Sequence, residues 1–106
     1  MKKHDLFRQL CIAHNLPEPV SEYKFHPRRK FRFDFFFVDS GVAVEIEGGI
    51  WTGGRHTRGS GYQKDMEKYN LALLQGYVVY RITPSQIKKT RTYNELKQLI
   101  TNRGGL

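Results

Sequence analysis

A chain of 106 residues has room for one small domain with a single hydrophobic core. Its 18 lysines and arginines outnumber 10 acids, giving a formal net charge of +8, which points to a polyanionic partner, most often nucleic acid. One cysteine, Cys11, excludes an intramolecular disulfide and a cysteine-based zinc cluster. Flanked by Leu10 and Ile12, it reads as a core thiol, in keeping with a reducing, cytoplasmic setting. No apolar run approaches membrane-spanning length and the N-terminus lacks a signal-peptide core, so no membrane contact is expected.

Lys3 to His14 carries Leu6, Phe7, Leu10, Cys11 and Ala13 at near-helical spacing, which predicts an amphipathic helix packed on a sheet. Leu16-Pro17-Glu18-Pro19 ends it, because two prolines so close cannot continue a helix. Glu22 to His26 alternates loosely and reads as an edge-like strand. Pro27-Arg28-Arg29-Lys30 makes a basic turn. With Arg32 it has the cation density of a phosphate-contacting rim, against the plainer reading of a solvated loop.

Phe31 to Gly48 is a hairpin, one aromatic run and one β-branched run around the turn signal Asp39-Ser40-Gly41. Strict alternation puts Phe31, Phe33, Phe35 and Phe37 on one face of the first strand. A two-residue turn at Asp39-Ser40 pairs Val38 with Gly41, and hence Asp34 with Glu45. A turn centred on Ser40-Gly41 pairs Asp34 with Glu47 instead. Either register places Asp34, Glu45 and Glu47 on one face. Like charges opposite each other destabilise a sheet, so three carboxylates there call for a cation, and hard oxygen ligands suit Mg²⁺ or Mn²⁺. The competing reading is a wet sheet face whose acids pair with nearby Arg or Lys.

Residues 49–61 are glycine-rich and basic and include Trp51, Arg55, His56 and Arg58. The G-K-[ST] ending of a Walker loop is missing. Trp51 has two readings, a stacking or wedging residue for DNA or a lid over the core. A lone histidine is usually structural or merely exposed, but His56 follows an acidic hairpin and sits between Arg55 and Arg58, a setting for a role at a phosphate.

Tyr62 to Gln75 is the strongest helix, with Ser60 as N-cap, Gly76 after its end, and Tyr62, Met66, Tyr69 and Leu73 as its core stripe, with Ala72 beside it. Tyr77 to Thr83 reads as a strand and Pro84 to Ile87 as a short turn. Tyr93 to Thr101 closes as a helix with Leu96, Leu99 and Ile100 inward, and Gly104-Gly105-Leu106 is expected to fray. The order helix, three-stranded meander, helix, strand, helix predicts one α/β domain spanning 1–106 with a mixed sheet.

Asp34 followed by Glu45-Ile46-Glu47 resembles the D…(D/E)-x-K signature of the PD-(D/E)XK nuclease superfamily. The wider frame is similar to very-short-patch-repair-like endonucleases and DUF559 domains, and to small phage and prophage nucleases of that superfamily. Asp34-Phe35, Glu45-Ile46-Glu47-Gly48, His56 and Asp65-Met66-Glu67-Lys68 follow its motifs in order, and Gly76 to Arg81 matches its G-x-x-V-x-R strand. The likeness runs from about Glu22 to Arg81. One departure stands out: the signature lysine is Glu47 here.

That resemblance implies a restriction-endonuclease-like core and metal-dependent hydrolysis of DNA phosphodiester bonds, of nicking, repair, resolvase or restriction type. Mg²⁺ (or Mn²⁺) would be held by Asp34, Glu45 and the carbonyl of Ile46. Catalysis would fall to Asp34, Glu45, Glu47, His56 and a substitute lysine, Lys68 before Lys64. Glu22 loosely matches an extra acid of resolvase-like members. Arg28, Arg29, Lys30, Arg32, Trp51, Arg55, Arg58 and Lys64 would contact double-stranded or branched DNA. One active site per small domain favours a homodimer or successive nicks for double-strand cleavage. The alternative is a non-catalytic nucleic-acid-binding module on a decayed nuclease fold.

Overall fold

A computed structural model describes residues 2–48 and 60–106. Helix α1 (Lys3–Ala13) precedes three strands, β1 (Val20–Lys24), β2 (Arg32–Phe37) and β3 (Val42–Ile46). Helix α2 (Ser60–Leu74), strand β4 (Val78–Ile82), a 3-10 turn (Pro84–Lys88) and helix α3 (Thr90–Asn102) follow. The result is an α/β domain with a four-stranded mixed sheet in the order β1-β2-β3-β4. The β1–β2 and β2–β3 junctions are antiparallel and β3–β4 is parallel. Two parallel neighbours cannot be joined by a hairpin, and the connection between them carries α2.

Each face of the sheet has its own core. Phe7 and Cys11 of α1 and Tyr93, Leu96 and Ile100 of α3 pack with Phe35, Phe37, Val42, Val44 and Ile46. The Cys11 thiol is fully buried there, and loss of hydration pushes its pKa up to about 12. On the other face Phe25, Phe33, Phe36 and Ala43 gather with Ala72 of α2. Phe25 stacks on Phe33 at 4.1 Å between centroids, and Tyr23 on Phe36 at 4.3 Å.

Three sequence expectations need correction. Phe33 does not share a face with Phe35 and Phe37; it lies with Phe31 and Phe36 on the α2 side. Alternation breaks at Asp34, whose amide bonds to a side chain rather than to a strand carbonyl. The β1–β2 register leaves Glu22 opposite Asp34, and Glu22 adopts a left-handed φ of 53°, so both strands distort at one point. On α2, Tyr69 of the expected stripe and the neighbouring Ala72 turn toward the sheet together with Lys68, whereas Met66 and Leu73 are 46% and 63% exposed, so half of the stripe lies off the packed face. Finally, the C-terminus is tied down. Arg103 Nε donates to the Ser40 carbonyl at 2.7 Å and another guanidinium nitrogen donates to that of Gly76. The Gly105 amide donates to the Ile100 carbonyl at 2.9 Å, and a Cβ on Gly105 would sit 2.7 Å from that of Ser40.

Element ends shift modestly. β1 begins at Val20, against Glu22 from the sequence, because Val20 already pairs with Phe36. α3 begins at Thr90, where Thr92 Oγ1 donates to the Gln86 carbonyl at 2.7 Å and joins the helix to the preceding turn.

Candidate active site

The turn Val38–Gly41 sets the first of the two predicted registers: Phe37 pairs with Val42, Phe36 with Ala43 and Phe35 with Val44. The next opposed positions are Asp34 and Glu45. There side chains replace ladder bonds. The Asp34 amide donates to Glu45 Oε2 at 2.8 Å, and the Ile46 amide donates to Asp34 Oδ2 at 2.7 Å. Each carboxylate is thus fixed through one oxygen by the backbone of the neighbouring strand.

Glu45 is only 7% exposed. Burial raises its carboxyl pKa above the ordinary value, while Lys68 and the Asp34 amide pull it down. Lys68, on α2, forms an ion pair with Glu45 Oε1. Its ammonium lies 5.9 Å from the Phe33 ring centre and 5.7 Å from that of Tyr69, on ring faces that favour a cation. A charged residue inside the α2 seam is therefore explained by the buried acid beneath it: a lone buried carboxylate is costly, and a paired one much less so.

Glu47 lies one step further along. The Tyr69 hydroxyl donates to Glu47 Oε2 at 3.2 Å and lies 3.5 Å from Glu45 Oε1. Arg81 Nε donates to the same Glu47 oxygen at 2.9 Å, and its guanidinium covers the Tyr69 ring at 4.7 Å. Burial, then the two glutamates, push the tyrosine pKa up, so the hydroxyl stays a neutral donor. The Glu47 hydrogen bond pushes the Arg81 pKa up.

The structure brings Asp34, Glu45 and Lys68 together and links Glu47 to them through Tyr69. The Ile46 carbonyl accepts the Gly48 amide at 3.0 Å. Lys64 and Asp65 are exposed on α2. Among the basic residues, Arg28, Lys30 and Arg32 are exposed. Arg29 pairs with Glu67 of α2, and its guanidinium lies 4.6 Å over Phe31. His26 Nδ1 shapes this turn by accepting the Arg28 and Arg29 amides at 3.2 and 3.1 Å. Trp51, Arg55, His56 and Arg58 lie outside the described residues.

Sequence reasoning missed Tyr69 and Arg81 as site residues. By spacing, Tyr69 belongs to the core stripe of α2. Arg81 had a usable signal, a charge inside an apolar strand, and the parallel register sets it beside Glu45.

Among the described residues no group of three or more His, Cys, Asp or Glu could hold a metal ion. Asp34 and Glu45 provide two anchored carboxylates, and Asp34 Oδ1 accepts no hydrogen bond from another described residue. Two carboxylates completed by water and substrate phosphate form a donor set that suits Mg²⁺, which keeps several waters and rarely takes an all-protein cage. The residues therefore fit that ion. No family model, curated protein or solved structure matches this chain.

Proposed function

We propose that the protein is a divalent-metal-dependent endonuclease on a restriction-endonuclease-like core, hydrolysing phosphodiester bonds of double-stranded or branched DNA. The observation that carries this reading is the Lys68–Glu45 ion pair beside Asp34. Two carboxylates and a lysine meet where two strands part, and the lysine comes from a helix in place of the one that Glu47 replaces.

When bound, Mg²⁺ would lower the pKa of a coordinated water and polarise a phosphoryl oxygen. Asp34 and Glu45, fixed through backbone amides, keep their remaining oxygens in place for such an ion. Lys68, an ammonium donor, is positioned to orient water or to neutralise charge developing on the phosphate. Tyr69, braced by Glu47 and Arg81, limits the movement of Glu45. Arg28, Lys30 and Arg32 supply a sequence-independent grip on the nucleic-acid backbone.

A second reading is favoured by one feature. Glu45 and Glu47 each already have a cation, Lys68 and Arg81. A site neutralised this way also suits a module that binds nucleic acid without cutting it. Supercoiled plasmid incubated with Mg²⁺, Mn²⁺ or EDTA separates the two. Metal-dependent relaxation or linearisation supports the nuclease. Retarded but intact plasmid under all three conditions supports the binding module.

A further inference from the structure

We infer that Lys68 is an internal competitor for the metal: its ammonium occupies Glu45 Oε1 and leaves that oxygen when a divalent cation binds between Glu45 and Asp34. This rests on the endonuclease reading and deepens it.

Glu45 has two oxygens with different duties. Oε2 accepts the Asp34 amide at 2.8 Å, a bond to the neighbouring strand's backbone that does not involve Lys68. Oε1 is the adjustable one, taken by Lys68 with the Tyr69 hydroxyl 3.5 Å away. A divalent ion on Oε1 would put its charge within a few ångströms of the ammonium. At such range and under partial burial, like charges repel strongly. One of the two cations has to yield, and the lysine, on a flexible four-carbon stem, is the mobile one.

The surroundings provide for the exchange. Tyr69 is held independently of Lys68 by Glu47 and by the overlying Arg81, so Glu45 keeps a neutral neighbour when the ammonium departs. The Phe33 and Tyr69 ring faces receive the displaced ammonium without a new anion. Glu47 thereby has a duty different from that of the lysine it replaces: it secures the tyrosine. A single ammonium would shield Glu45 in the resting protein and become available to water and phosphate once metal is loaded.

The test measures metal binding apart from catalysis. Mn²⁺ is titrated calorimetrically, without DNA, into the wild type and Lys68→Met. Removing the competing charge should tighten Mn²⁺ binding about tenfold or more, the scale of one pKa unit of charge interaction, while plasmid cleavage falls. In the wild type, the ¹³C shift of the Lys68 ε-methylene should move on Mg²⁺ addition as the ion pair opens. Unchanged or weaker Mn²⁺ binding by folded Lys68→Met overturns the inference. If that variant does not fold, a Lys68 signal that stays fixed while the wild type binds Mg²⁺ overturns it instead. A wild type that cuts DNA while either result goes against the exchange leaves the nuclease reading standing. A wild type that neither binds metal nor cuts removes both.

Discussion

Lys68 of α2 and Glu45 of β3, separated by 23 positions in the chain, form an ion pair whose side chains are only 15% and 9% exposed. The pair fixes which face of α2 meets the sheet. Breaking it by removing one partner leaves the other charge unpaired and largely out of water. Lys68→Met should therefore destabilise the protein by about 3 kcal/mol, the scale for orphaning a buried ion. It should also lower turnover strongly with little change in DNA affinity. Chemical denaturation and steady-state kinetics read the two effects separately.

The pH dependence of stability carries a definite sign. Burial lifts the folded Glu45 carboxyl above its unfolded value. The folded state therefore binds that proton more tightly, and its contribution to stability is present at low pH and lost as pH rises through the raised pKa. Glu45→Gln, uncharged at every pH, orphans Lys68 and starts less stable, but its deficit against the wild type should shrink as pH rises across that window. Lys68→Met should extend the window upward. Urea midpoints taken from pH 4 to 8 check both; parallel profiles for all three proteins would show that Glu45 does not titrate differently on folding.

The basic turn should divide its labour. Arg28 is exposed, whereas Arg29 is paired with Glu67 and lies over Phe31. Arg28→Ala should reduce the slope of log affinity against log salt by about 0.9, one phosphate contact. Arg29→Ala should change the slope less and loosen the link between the turn and α2. Equal slope losses would mean that Arg29 leaves Glu67 when DNA binds.

Arg103 and Gly105 hold the chain end against the β2–β3 turn. Arg103→Ala removes hydrogen bonds to two carbonyls from a charged donor and should cost about 1–3 kcal/mol. Gly105→Ala forces a methyl to within 2.7 Å of the Ser40 Cβ and 2.9 Å of Ile100 and should cost a similar amount, about 1–3 kcal/mol. Wild-type urea midpoints in both variants would show that the end is loosely held.

Much of this is legible in the sequence where one local rule dominates. The Val38–Gly41 turn fixes the register, so opposing Asp34 to Glu45 needs only turn arithmetic. Helix α1 follows from periodicity, and the end of α2 from Gly76, whose φ of 85° suits only glycine well. The rule fails where the site intrudes on regular structure. Phe33 changes face because the Asp34 amide takes a carboxylate in place of a carbonyl. Met66 and Leu73 lie outside because α2 turns Lys68 and Tyr69 toward Glu45 and Glu47. Hydrophobic spacing cannot show that rotation, since a buried charge on another element sets it. The terminal glycines look like a frayed tail in sequence, and Gly105 is selected by close approach to Ser40.

Metal-dependent cleavage at Asp34 and Glu45 is measured with supercoiled plasmid and wild type, Asp34→Ala and Glu45→Ala in Mg²⁺, the folding of each variant checked by circular dichroism. Relaxed or linear DNA is expected with the wild type, intact supercoils in EDTA, and intact supercoils with both folded variants. Undiminished cleavage by either variant, purified free of contaminating nuclease, would contradict it.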